Sequence, residues 1–172
     1  MSTATLVENR EIALLRQQAR AAHRVVRLNL DGLTHEETLI QPAAGGNCLN
    51  WVVGHLLAIY HKALPLLGQD PVMSPRALER YDRGSAPLRD GGDAIDIADL
   101  LAAWDETSRR VDAGLAAFDV STLGDKAPFS PSNNPNETMG SLLATVAWHQ
   151  AYHTGQTGLL RRIAGRKDGG IP

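Results

Sequence analysis

The stretch "WHQAYHTGQ", residues 148–156, sets His149 and His153 four positions apart inside an otherwise amphipathic segment, with Gln156 one turn further on. Written as a helical stripe, the segment reads Leu142, Val146, His149, His153, Gln156, Leu160 and Ile163. Apolar residues hold both ends and hydrogen-bonding side chains the centre. Burying a polar group without a partner costs about 1–3 kcal/mol, so something must satisfy these rings. Backbone or hydroxyl partners would serve a lone core histidine. Two imidazoles at this spacing stand on one helical face with Cβ atoms about 5–6 Å apart, which lets both reach one metal ion.

A divalent ion needs a further protein ligand, and His55 offers one from the apolar segment "NWVVGHLLAIY", residues 50–60. Neutral imidazoles at 55, 149 and 153 would leave the ion its full charge and an open position for water or substrate, as in catalytic rather than closed structural sites. Such an ion lowers the pKa of bound water to about 7 and deprotonates a coordinated thiol. Two familiar metal chemistries are excluded by the letters. Gln150 stands where the H-E-x-x-H proteases carry their general base. The paired Glu-x-x-His motifs of di-iron bundles do not occur. Gln156 has three possible roles: a fourth ligand, a hydrogen-bond partner of a ligating ring, or a satisfied polar residue. The second is preferred. Tyr152, beside the pair, is a candidate to offer its hydroxyl to a substrate.

Four amphipathic helices are expected to position these residues. The first runs from about Thr5 to Leu30 with Leu14, Ala21, Val25 and Leu28 on its inward face, and ends at Gly32. The second runs from about Asn47, as N-cap, to Leu67, stopped by Gly68, with Cys48, Val52, His55, Ile59 and Leu66 along one face. Residues 69–95 form a long crossover with a short helix around Pro75 to Tyr81. The third helix follows an Asp96 cap, with Ile97, Leu101, Trp104, Ser108, Val111, Leu115 and Phe118 spaced by four and three. The Pro- and Asn-rich loop "DKAPFSPSNNPNE" cannot continue it. The fourth runs from about Thr138 to Ala164 and ends at Gly165. With no convincing strand, this is an all-α chain: one antiparallel four-helix bundle over residues 1–172.

Of the other histidines, His61 faces away from His55, about 120 degrees around the helix. His23 sits beside the inward stripe, where it could contact the metal's neighbourhood, and His35 is expected to be solvated; both are bland by default. Cys48 reads as a buried, inert thiol. Trp51, Trp104 and Trp148 read as core or interface residues, and Asp90, Asp93, Asp96 and Asp99 as turn and cap residues.

The chain of 172 residues has 43% hydrophobic and 21% charged residues, which fits one globular domain. Lys and Arg number 17 against 19 Asp and Glu, a net charge of -2, so no broad positive field exists to gather nucleic acid. No apolar run approaches the roughly 20 residues that cross a bilayer, and no export signal is visible, which assigns the cytoplasm. The single cysteine agrees with a reducing interior.

The blocks "NWVVGHLLAIY" and "HQAYHTGQTGLLRRIAG", with the helix order and crossover, resemble the DinB-like family of metal-dependent four-helix proteins. The resemblance implies an up-up-down-down bundle holding zinc or nickel at His55, His149 and His153, in a homodimer. It also implies a small-molecule substrate and a low-molecular-weight thiol cosubstrate such as mycothiol or bacillithiol, in transferase or isomerase chemistry. A metal-activated thiol suits attack on an electrophile. The competing reading is a dimeric scaffold or binding domain whose metal is not catalytic.

Overall fold

The computed structural model describes residues 9–88 and 92–168. Each long helix begins where a side chain can satisfy its first orphan N–H groups, with one exception. Helix α1 (Arg10–Leu30) is capped by the Asn9 amide oxygen, which accepts from the N–H of Glu11 and Ile12. The expected start at Thr5 lies outside the described residues. A single turn, α2 (His35–Thr38), opens with a reciprocal Thr34–Glu37 capping box. Helix α3 (Leu49–Ala63) is the exception: Cys48, not Asn47, takes the cap position, and its side chain makes no capping bond. A 3₁₀ turn, Leu64–Leu67, extends α3 until Gly68 turns left-handed at φ 66°.

The crossover contains the short helix expected there, α4 (Pro75–Leu78), followed by a 3₁₀ turn Glu79–Tyr81. Asp96 caps α5 (Ile97–Ala116), as its position before the apolar run requires. Asp90 lies outside the described residues. Thr138 caps α6 (Met139–Ile163) and Gly165 follows at φ 91°. Among the described residues there is no strand, and one isolated bridge joins Lys126 and Thr138.

Pairs of touching residues fix the helix directions. Asn50 bonds to Ile95, Tyr60 packs on Trp104, and Leu67 lies against Gly114, so residue numbers rise together and α3 and α5 are parallel. Arg16 pairs with Asp112 and His23 with Asp105, so α1 and α5 are antiparallel. His55 meets His153 while Tyr60 meets Gln150, and α3 opposes α6. Asn29 and Arg161 join the C-terminal ends of α1 and α6. The order is therefore up-down-down-up, which corrects the up-up-down-down expectation. The physical reason is the crossover, 69–95, which carries the chain back along α3 so that α5 starts at the end where α3 starts.

The core is built from Val26, Leu49, Val52, Val53, Leu56, Leu64, Leu100, Trp104 and Leu142, each almost fully buried. On α1 the inward face is Ile12, Ala22, Val26 and Asn29, one position on from the expected stripe. Leu14 and Leu28 are instead 64% and 58% exposed. Both stripes of α1 are apolar, so periodicity alone cannot choose between them. The face of α6 is rotated likewise. Gln150, Thr154 and Thr157 are buried, His149, His153 and Gln156 are half-buried on the flank toward α3, and Ile163 is exposed.

That buried polar row finds most of its partners internally, as polar groups in a core must. Asn29 Nδ2 donates to Thr157 Oγ1 at 2.8 Å, and Thr157 Oγ1 donates to the Thr154 carbonyl at 2.6 Å. Arg161 donates to the carbonyls of Asn29 and Asp31. The Tyr60 hydroxyl donates to Gln150 Oε1. Gln150 is thus committed to the core and points away from the histidines' chemistry.

Candidate metal centre

His55 sits in the second turn of α3, 4% exposed. The residue before it makes its setting possible. A Cβ on Gly54 would come within 2.2 Å of Tyr81 Cδ1, so only glycine lets the Tyr81 ring lie flat against α3. Tyr81 is held there by its hydroxyl, which donates to Asn50 Oδ1 at 3.0 Å and accepts from the Ile95 N–H at 2.8 Å. Its carbonyl then lies 2.7 Å from His55 Nδ1. The Trp51 indole, one turn earlier on α3, stacks on the His55 ring with centroids 4.6 Å apart and planes 13° from parallel.

The tautomers follow from these partners. A carbonyl can only accept, so His55 carries its proton on Nδ1 and presents a lone pair at Nε2. Gln156 Oε1 lies 2.7 Å from His153 Nδ1, and with that oxygen accepting, His153 also presents a lone pair at Nε2. Both lone pairs aim at His149 Nε2, at 3.3 Å from His55 and 3.1 Å from His153. His149 has one proton at most to share on that nitrogen while it is neutral. Three converging nitrogens with two or three lone pairs among them call for a cation.

The dimensions agree. Nitrogens bound at about 2.0–2.1 Å to a tetrahedral ion stand about 3.3 Å from one another. The ligand atoms of His55, His149 and His153 all lie within 4.8 Å of one another, and they form the one His/Cys/Asp/Glu group among the described residues that could hold an ion. No carboxylate belongs to it. The His149 Nδ1 atom is buried without a protein partner, unlike the corresponding atoms of the other two rings.

The electrostatics favour neutral imidazoles. Burial, and then the neighbouring His153, His55 and Arg83, push His149 down to about 4. Burial also lowers His55 and His153, against the Tyr81 carbonyl and Gln156, whose hydrogen bonds favour their protonated forms. A ring that resists protonation keeps its lone pair available to a metal at neutral pH.

The remaining candidates are dispersed. The Tyr152 ring packs edge-on against His153, centroids 5.1 Å apart, and is 55% exposed. Cys48 is a free, buried thiol whose pKa burial raises, so it is inert as expected. His61 faces away, with Nδ1 3.1 Å from the Met73 carbonyl. His23 lies apart from the site, paired with Asp105 at 2.8 Å and stacked near Trp104. His35 is half-buried rather than solvated. Trp104 is core, Trp51 lines the site, and Trp148 is 66% exposed. Sequence reasoning missed Gly54, Tyr81 and Trp51 as the supports of His55. For Trp51 a signal existed, since it precedes His55 by four and must share its face.

A groove of about 1280 Å³ runs along the opposite flank of α6, between α1 and α6. Ala21, Ala144, Ala147, Ala151 and Gly158 line it with Leu14, Trp148 and Leu159, and none of the three histidines does.

Comparison with known proteins bears on the fold and the family. The profile of the DinB superfamily matches residues 16–157. A crystal structure of a conserved protein from Enterococcus faecalis is similar, with a TM-score of 0.69 and 18% identity, over 90% of this chain and 97% of that one. Among curated proteins none matches the sequence.

Proposed function

The chain belongs to the DinB superfamily, and from that membership and its facing imidazole nitrogens we propose a divalent-metal-dependent enzyme in which His55, His149 and His153 hold the ion. The observation that carries the reading is the convergence of three Nε2 atoms with no acidic neighbour among them. Zinc or nickel is the ion that suits an all-imidazole set. When bound, it supplies a Lewis-acidic open position at which a thiol or water loses its proton near neutral pH.

The chain's own residues do the positioning. Tyr81 and Trp51 fix the His55 ring from two sides, and Gln156 fixes His153, so little motion remains to be frozen when the site fills. Tyr152, edge-on to His153, is placed to meet whatever lies beside the rings. The reaction class is transfer of a low-molecular-weight thiol, of the mycothiol or bacillithiol kind, to a small electrophile, or an isomerisation using the same thiol. Support for a thiol over water is the family resemblance.

The protein acts in this reading as a cytoplasmic homodimer. Among the described residues no helix is long and apolar enough to cross a membrane. The α1/α6 face exposes Leu14, Trp148 and Leu159, a concentration of large apolar side chains that marks a docking surface. A second copy is its occupant.

Metal analysis of untagged protein tests the centre. About one ion per chain is expected in the wild type and a large loss in His149→Ala, whereas equal metal in both refutes the ligand assignment. A panel of thiols and electrophiles then tests the chemistry, and turnover that survives chelation refutes it.

A further inference from the structure

Trp51, His55 and Lys62 share one face of α3, and each is held by a different residue of a single crossover turn. The His55 Nδ1–H donates to the Tyr81 carbonyl at 2.7 Å, Lys62 Nζ donates to Asp82 Oδ1 at 2.8 Å, and the Trp51 Nε1–H donates to Ser85 Oγ at 2.9 Å. The turn is braced from within. Ser85 N–H donates to the Asp82 carbonyl at 3.1 Å, and Gly84 supplies the left-handed corner at φ 86°. Arg80 holds the turn from behind through the carbonyls of Ala86 and Pro87. It is therefore fastened along α3 at three points, two of which bear on the His55 ring.

The two act differently. Tyr81 bonds the edge of the imidazole that carries Nδ1. The direction of the other nitrogen, Nε2, depends also on rotation of the ring about its bond to Cβ. That rotation is limited by the Trp51 indole, which lies 4.6 Å from the imidazole between centroids and 13° from parallel. A stacked plane orients its neighbour only as firmly as it is itself held. An indole has one polar handle, its N–H, and here that donor is used on Ser85, itself half-buried beside a tryptophan that is 5% exposed.

We propose that Ser85 is a positioning residue of the metal centre. Its hydroxyl fixes Trp51, and the face of Trp51 fixes the rotation of His55 so that Nε2 meets those of His149 and His153. Linkage makes the relation reciprocal, because whatever immobilises His55 at Nε2 also favours the docked turn that grips Nδ1. The assignment rests on the metal-site reading of the preceding section.

Zinc affinity of the full untagged chain, measured by competition with a chromophoric chelator, tests it. Ser85→Ala is expected to lose about fivefold, the scale of one net hydrogen bond, and Ser85→Thr, which keeps the hydroxyl, to regain most of that. Trp51→Phe keeps a stacked ring and removes the N–H. Adding Ser85→Ala to it is expected to cost nothing further, since both changes break the same bond. A serine that is merely structural would lower the melting temperature of the metal-free protein and leave zinc affinity unmoved, which overturns the proposal, as does an additive loss in the double variant. Amide exchange reads the reciprocal effect. Zinc should slow exchange of the Ser85 N–H severalfold and leave the Gly68 N–H, bonded to the Pro65 carbonyl beyond the far end of α3, unchanged. Equal rates at Ser85 with and without zinc overturn the coupling. A wild type that takes up no zinc overturns the metal-site reading and this assignment with it, whereas wild-type uptake with full affinity in Ser85→Ala overturns the assignment alone.

Discussion

The ring of Tyr81 occupies the space that any side chain at residue 54 would fill, 2.2 Å from where a Cβ on Gly54 would stand. A structural glycine and the orientation of the His55 ring are thereby coupled, because the carbonyl of that same Tyr81 holds His55 Nδ1. Gly54→Ala forces Tyr81 away from α3. The expected result is a loss of about 1–3 kcal/mol of stability, the cost of overpacking a filled site, together with weaker metal retention. Thermal denaturation and metal titration of the variant check both. Normal stability with normal metal affinity would show that the contact has slack.

Gln156 is the orienting partner of His153, at 2.7 Å from Nδ1. Gln156→Leu removes the acceptor without touching a ligand, and metal affinity is expected to fall about 10–100-fold. Gln156→Glu keeps an acceptor there and retains most of the affinity. Competition with a chromophoric chelator measures the difference, and equal affinities in Leu and wild-type proteins would remove Gln156 from the site.

The pH dependence of the metal-free protein follows from the buried rings. His149 is held at about 4, chiefly by burial, and His55 and His153 are lowered for the same reason. The unfolded chain, with histidines near about 6.5, takes up protons before the folded one does. Stability is therefore full above about 6.5 and is lost as pH falls toward about 4, since each neutral ring must be charged in a dry setting. Urea midpoints of chelator-treated protein across that window should decline, and the decline should be shallower in His149→Gln. A profile as flat in the wild type as in the variant would contradict the burial of these rings.

Trp148 is 66% exposed on the α1/α6 face, and Leu159 is 61% exposed. A charge at either position sits badly in the apolar subunit contact proposed for this face. Trp148→Glu and Leu159→Glu are expected to shift the protein from dimer to monomer in sedimentation, with helix content kept. A wild type that sediments as a monomer at all accessible concentrations rejects the dimer outright.

Much of this was legible in the letters, for reasons that differ by residue. Asp96, Gly68 and Gly165 mark helix ends because caps and left-handed turns depend on one side chain or its lack. The short helix at Pro75 follows from Ser74 and Pro75, a cap and a first-turn proline. The gathering of His55, His149 and His153 followed from four-residue spacing on one helix and an out-of-place polar residue on another. What could not be read is tertiary. Helix direction has no periodic signature, so α5 running alongside α3 was invisible. The inward face of α1 was misassigned because Leu14 and Leu28 are as apolar as Ile12 and Val26, and an exposed apolar stripe looks like a core. Tyr81 and Ser85 come from a crossover whose packing no local pattern encodes.

His55 and His149 stand 94 residues apart in the chain and touch through their ring nitrogens. A ribosome making this protein releases the first long before the second, so a nascent chain offers a metal only one of three nitrogens until α6 has emerged and docked. On the proposed metal-site reading, loading with the ion is consequently a late event in biogenesis, tied to docking of the last helix.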